Sequence, residues 1–223
     1  MFLRRLARLL FSFAVWGALL FVPAGRLNWT RGWICLGVFL LSLAVNAVTV
    51  LRKNPELVAE RWKKRKGTKP FDRVFMVLYV PTVLAMPLLA GLDAVRFGWA
   101  PLPWGTLWPG LLLQLLSIPP IAWAMATNPY LEATVRIQQD RGHKAITTGP
   151  YAIVRHPMYV GALLSWAGQP LTLGSAWACV PAGFAILLFV IRTALEDRTL
   201  RRELAGYEEY AQRTRYRLVP GLW

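Results

Sequence analysis

The chain has 223 residues, 56% of them hydrophobic and only 17% charged, with a mean hydropathy of +0.39. Soluble domains run nearer about 45–50% apolar and ~25% charged, so disorder is excluded and a purely water-soluble fold is disfavoured. The net charge of +15, from 26 Lys+Arg against 11 Asp+Glu, would suggest nucleic acid in a soluble chain. In an apolar one the placement of the charges carries the information, and no nucleic-acid partner is expected.

Six apolar stretches approach the roughly 20 residues needed to cross a bilayer, at about residues 6–24, 33–51, 74–92, 104–126, 157–173 and 175–195. The first follows Arg4, Arg5 and Arg8 and also has the outline of a signal peptide. Because further spans follow and the topology works with it retained, it is read as a span. Pro81 and Pro87 in the third stretch, and Pro119 and Pro120 in the fourth, should kink their helices. The fifth stretch is short and carries Gln169 and Pro170. It either crosses or dips in, forming with the sixth a tight hairpin turning at Leu171–Ser175.

Basic residues alternate between the two sides. The N-terminus carries three, the second loop nine (Arg52 to Arg73, including Lys63, Lys64, Arg65 and Lys66), the fourth four, and the tail from Arg192 seven. The intervening loops carry only Arg26, Arg31 and Arg96. The positive-inside rule therefore puts both termini in the cytoplasm, and the basic loop would also attract anionic membrane lipids. Trp29, Trp33, Trp99, Trp104 and Trp108 fall near span ends, where indoles prefer the interface. The expected class is an all-α integral membrane protein of five to six transmembrane helices. Its first region (1–127) is the N-terminal helical scaffold, and its second (128–223) holds a C-terminal hairpin and a cytoplasmic pocket.

Cys35 and Cys179 sit inside apolar runs with no C-x-x-C pair, and read as packing residues. Two histidines without an H-E-x-x-H motif make no metal site, and no phosphate-binding glycine loop is present. The informative block is Arg155-His156-Pro157-Met158-Tyr159-Val160-Gly161, preceded by Thr148-Gly149-Pro150-Tyr151. Pro157 suits the first turn of a helix, whose free N–H groups would form an anion site. Arg155 and His156 would add donors, and Tyr151 and Tyr159 aromatic faces. The same residues also fit a purely interfacial role, as anchors and aromatic belt. Arg192 and Glu196 lie four apart on one helical face, either as a functional pair at membrane depth or as a local ion pair. Beyond them Leu195, Leu200, Leu204, Tyr207 and Tyr210 predict an amphipathic helix on the inner face, in a position to cap a pocket.

The order of these motifs is specific. His143, Gly149, Tyr151, Arg155-His156-Pro157, Tyr159 and Gly161, then an apolar hairpin, then Arg192, Glu196-Asp197 and Leu200, and last a Tyr-rich tail, resemble the isoprenylcysteine carboxyl methyltransferase family. Phospholipid N-methyltransferases are its relatives. The resemblance covers about residues 128–223, and N-P-Y-L-E-A-T-V-R at 128–136 and N-P-E-L-V-A-E-R at 54–61 are similar to its bacterial branch, which implies a bacterial inner membrane. It implies S-adenosylmethionine as cofactor, bound by His143, Lys144, Ala145, Ile146, Tyr151, His156, Pro157, Met158, Tyr159 and Glu196. Arg192 would be the catalytic residue, facing a lipophilic small-molecule or lipid substrate: an isoprenylcysteine-type carboxylate, a phospholipid amine, or a small lipophilic thiol or acid. The family's acidic pair is Glu-Glu, whereas this chain has Glu196-Asp197, so only Glu196 carries the cofactor role over. The rivals are an NADPH-dependent reductase of the sterol-reductase type and a transporter or assembly factor. Transport is disfavoured because the spans offer only Asn46, Gln114 and Gln169 near their middles.

Overall fold

The structure, a computed structural model, describes residues 2–62 and 67–223, without the side chains of 2–10, 59 and 62. Lys63, Lys64, Arg65 and Lys66 of the basic loop lie outside the described residues. Among the described residues eight α-helices follow in chain order: α1 (Phe2–Ala24), α2 (Thr30–Lys53), α3 (Pro55–Trp62), α4 (Pro70–Gly91), α5 (Leu107–Thr127), α6 (Pro157–Leu173), α7 (Cys179–Glu203) and α8 (Tyr207–Arg213). There is no strand among the described residues, only an isolated bridge between Pro101 and Ser175. Helices α3, α4 and α6 each begin on proline, whose missing N–H costs nothing at a first turn. The protein is an all-α integral membrane protein. Four helical segments are long and apolar enough to cross a bilayer: Thr30–Lys53, Pro70–Phe97, Trp104–Thr127 and Cys179–Glu203. A shorter apolar helix covers Phe11–Ala24. Val74, Val77, Leu112, Leu116 and Leu187 are each more than half exposed, a surface suited to lipid as solvent.

Six apolar stretches are thus six helices, with adjustments. Helix α4 does not stop at its apolar limit but continues as a π-helix, Leu92–Phe97. With 17 residues, α6 rises only about 26 Å, short of the roughly 30 Å hydrocarbon core. The α6–α7 connection runs from Gly174 to Ala178, later than the turn read from sequence. Cys179, expected to be buried, is exposed, because it starts α7 instead of lying within it; Cys35 is buried. Of the five span-end tryptophans only Trp29 is buried. The tail differs most. In place of one amphipathic helix on the inner face, α7 runs on to Glu203, and Gly206 takes a left-handed conformation (φ 75°) that glycine adopts without strain. Helix α8 then starts afresh, with Leu204, Tyr207 and Tyr210 buried against Ala124 and Tyr151.

Two compact units are distinguished by their contacts. The first comprises Met1–Leu43, Val80–Leu115 and Ser165–Ile186, and the second Ala44–Tyr79, Leu116–Leu164 and Leu187–Trp223. Within the first, the buried Asp93 carboxylate accepts the Ala100 N–H and the Ser175 hydroxyl, both at 2.6 Å, and the Trp177 N–H at 3.1 Å. That one side chain satisfies three donors from two loop segments. Arg31 donates to the Pro103 carbonyl at 2.6 Å, and Gln114 to Thr172 at 2.6 Å.

Within the second unit, Asn54 donates to the Met125 and Asn128 carbonyls, both at 3.1 Å, and so satisfies α5's C-terminal end. Phe75, Tyr79 and Phe189 form an aromatic cluster with centroids 5.0–5.4 Å apart. Gly161 lets α6 approach α5 closely: a Cβ there would sit 2.5 Å from Ile121 Cγ1 and 2.6 Å from the Ser117 carbonyl. The glycine of the R-H-P-x-Y-x-G block is therefore a packing requirement.

Candidate functional site

A cavity lined by the α5–α6 loop and by α6, α7 and α8 lies within the second unit. His143, Lys144, Ala145 and Ile146 line it from the loop between α5 and α6, and Tyr151 from a short 3-10 turn. His156, Pro157, Met158 and Tyr159 line it from the start of α6, and Arg192 and Glu196 from α7. The structure thus brings together every residue to which the resemblance assigns a cofactor or catalytic role.

The start of α6 works differently from the sequence expectation. The Arg155 and His156 amides are taken by the Tyr216 and Arg217 carbonyls at 2.9 and 3.0 Å, and those of Tyr159 and Val160 turn back to the His156 carbonyl. Only the Met158 amide in this first turn lacks a backbone acceptor among the described residues. The anion site is reduced accordingly. Arg155 is not a free donor either. It is buried, with Nε 2.7 Å from Asp197 Oδ1, and it donates to the Thr214 and Arg215 carbonyls at 2.8 and 2.7 Å. The tail carbonyls close this corner because their acceptors would otherwise be unpaired next to a buried cation.

The adjacent acids of α7 divide the work. Glu196 faces the cavity and accepts a hydrogen bond from the Tyr159 hydroxyl. Asp197 is fully buried and gathers Arg155, Arg201 Nε (3.3 Å), Arg217 Nε (2.9 Å) and the Tyr207 hydroxyl (3.1 Å). His156 Nε2 lies 3.7 Å from it, and the imidazole stacks on Tyr159 with centroids 5.6 Å apart. Asp197 is thus the hub that fastens the tail, and the Glu-Asp departure places the shorter acid there.

Arg192 does not pair with Glu196, its helical neighbour. Its Nη2 lies 2.9 Å from Asp72 Oδ1 and donates to the Ala133 carbonyl at 3.1 Å. On the loop side, Arg136 is clamped by Glu132 (2.8 Å twice) and Asp140 (2.7 Å), and hydrogen bonds to Glu132 raise its pKa further. His143 Nδ1 accepts the Gln138 N–H at 3.4 Å. Burial, and then the Arg136 charge, push its pKa down to about 4, so the imidazole is neutral at pH 7 with its proton on Nε2. Burial raises the Tyr151 phenol, which stays protonated and accepts from Asn128 at 3.1 Å. Glu132, Arg136, Gln138 and Tyr130 also line the cavity; three of them lie in the 128–136 stretch that resembles the bacterial branch, but the resemblance assigns none of the four a role. Asp72 offered one signal, an acid in the first turn of an apolar span.

The chain is similar to known proteins over part of its length. Over 114 residues the chain is 33% identical to the cobalt-zinc-cadmium resistance protein CzcN of Cupriavidus metallidurans, covering 50% of this chain and 51% of that one. Protein-S-isoprenylcysteine O-methyltransferase B of Arabidopsis thaliana is 32% identical over 83 residues, 35% of this chain and 41% of its own. The Delta(14)-sterol reductase erg24 of Schizosaccharomyces pombe is 30% identical over 106 residues, 42% of this chain but only 23% of its own. The chain spans about half the length of the first curated relatives it matches. Residues 111–202, which include the cavity residues from Tyr130 to Glu196 named above, match the isoprenylcysteine carboxyl methyltransferase (ICMT) family, the family that the motifs resemble.

Proposed function

We propose that the protein is an S-adenosylmethionine-dependent membrane methyltransferase acting on a lipophilic acceptor. The observation that supports this most is the convergence of residues 143–146, 151, 156–159, 192 and 196 on one cavity. The side chains present suit such a cofactor. Glu196, whose direct partner is a phenol, has acceptor capacity for an amino group or ribose hydroxyls. Tyr151 and Tyr159 present aromatic faces that attract a sulfonium, and the Met158 amide at the start of α6 favours a carboxylate. When bound, the cofactor supplies an activated methyl group. The chain's own part is to orient the two reactants and exclude water, and its aromatic walls do so without a strong acid–base pair. Arg192 positions the polar end of the acceptor. In this reading residues 128–223 furnish the cofactor region and 1–127 the acceptor-side scaffold. The charge asymmetry supports a cytoplasmic pocket, with both termini cytoplasmic in a bacterial inner membrane.

Calorimetric titration of the detergent-solubilised chain with S-adenosylhomocysteine tests this. Binding is expected, and Glu196→Ala and His156→Ala should each weaken it about 10–100-fold, the scale of one lost charge-assisted hydrogen bond. Arg192→Ala should leave it in place while impairing turnover. Binding of NADPH with none of S-adenosylhomocysteine would favour the reductase reading, and unchanged affinity in both weakened variants would remove the assigned site.

A further inference from the structure

We infer that Asp72, which lies outside the matched region, is the positioning residue for Arg192, so that α4 sets the acceptor side of the pocket. This rests on the methyl-transfer reading above. Asp72 is fully buried, and its two oxygens hold different partners. Oδ1 lies 2.9 Å from Arg192 Nη2, while Oδ2 accepts the Val135 N–H at 2.8 Å. The Lys69 N–H donates to the Val135 carbonyl at 3.0 Å, and Arg192 returns to the same loop at the Ala133 carbonyl. Helix α4, the loop and α7 are thereby joined through one carboxylate and one guanidinium. Phe75, one turn beyond Asp72, places its ring 4.3 Å below the guanidinium, and Tyr159 flanks it at 5.4 Å. The arginine is therefore fixed both by charge and by stacking.

The arrangement has a consequence for the chemistry. Glu196, four residues on, is the partner that helix geometry alone would assign to Arg192. Asp72 takes that place, and Glu196 is held instead by Tyr159. The acceptor-side cation and the cofactor-side carboxylate are kept apart within one turn of α7. The buried Arg192 Nε has no hydrogen-bond partner among the described residues, so the guanidinium keeps unused donor capacity beside the cavity it lines. A purely structural ion pair would not need to leave that donor unmatched.

The test uses the full chain in lipid nanodiscs with Asp72→Asn, Asp72→Glu and Arg192→Lys. Turnover is read with labelled S-adenosylmethionine on two acceptor probes, an S-farnesylated N-acetylcysteine and a total bacterial lipid extract. Asp72→Asn should lower kcat about 10–100-fold, the cost of a misplaced group, with S-adenosylhomocysteine affinity changed less than about threefold. Asp72→Glu should recover part of the loss. Nitrogen NMR of the guanidinium, assigned by its disappearance in Arg192→Lys, should show restricted rotation in the parent chain and averaged signals in Asp72→Asn. Signals that stay restricted in Asp72→Asn, or undiminished kcat, overturn the inference. If the parent chain does not bind S-adenosylhomocysteine, the methyl-transfer reading fails instead, and the NMR result alone decides whether Asp72 fixes Arg192.

Discussion

Asp197→Ala should destabilise the protein without any ligand being involved. The Asp197 side chain is 0% exposed and that of Arg155 is 2%, so removing the acid leaves a buried guanidinium without its counter-ion. Such a loss costs about 3–5 kcal/mol. Arg201 and Arg217, about a third exposed, add little because water screens them. The Thr214 and Arg215 carbonyls still accept from Arg155, which keeps the figure from rising higher. For a chain of this length a loss of this size lowers the melting temperature by roughly 6–20 °C. Far-ultraviolet circular dichroism of the purified chain in detergent reads it, with Glu196→Gln as the neighbouring control. The control retains an oxygen for the Tyr159 hydroxyl and should melt within roughly 2–4 °C of the parent, the equivalent of about 1 kcal/mol. Hydrogen exchange at the Arg155 and His156 amides, whose acceptors are in the tail, should accelerate in Asp197→Ala alone. Equal melting of the two variants would refute the division of labour between the adjacent acids.

Two further outcomes are expected. His143 is ordinarily near 6.5 but held to about 4 in the fold, so the unfolded chain binds the extra proton between those values. Its contribution to stability is present above pH 6.5 and is lost as pH falls towards 4; His143→Gln should flatten that part of the melting-temperature profile, and superimposable profiles would refute it. Gly161→Ala forces a Cβ to within 2.6 Å of the Ser117 carbonyl. It should destabilise by about 1–3 kcal/mol, read in the same melts, whereas Gly37→Ala, where a Cβ meets nothing within 4 Å, should not.

What could be read from the sequence was whatever is encoded locally. Apolar length located the helices that carry the spans, and proline marked where α6 begins, because both act within a few residues. The R-H-P-x-Y block, His143 and Glu196 could be placed in one site because their spacing resembles a known family. Arg155 was misjudged because its counter-ion is 42 residues away. Asp72 carries no local signal for its partner, because its pairing with Arg192 depends on how α4 and α7 meet, whereas Glu132 and Arg136 pair four residues apart within one loop. The tail was read as one helix since its apolar spacing survives a break at Gly206, and nothing in that spacing says that the chain folds back to bury the tyrosines.

The hydrogen bonds that the amides at 155 and 156 donate to the Tyr216 and Arg217 carbonyls impose an order on biogenesis. A nascent polypeptide whose hydrophobic helices have already been inserted still lacks the strap that fastens this corner. Closure of this corner must therefore await emergence of some sixty further residues from the ribosome, and a chain stalled short of them would be embedded with the corner open.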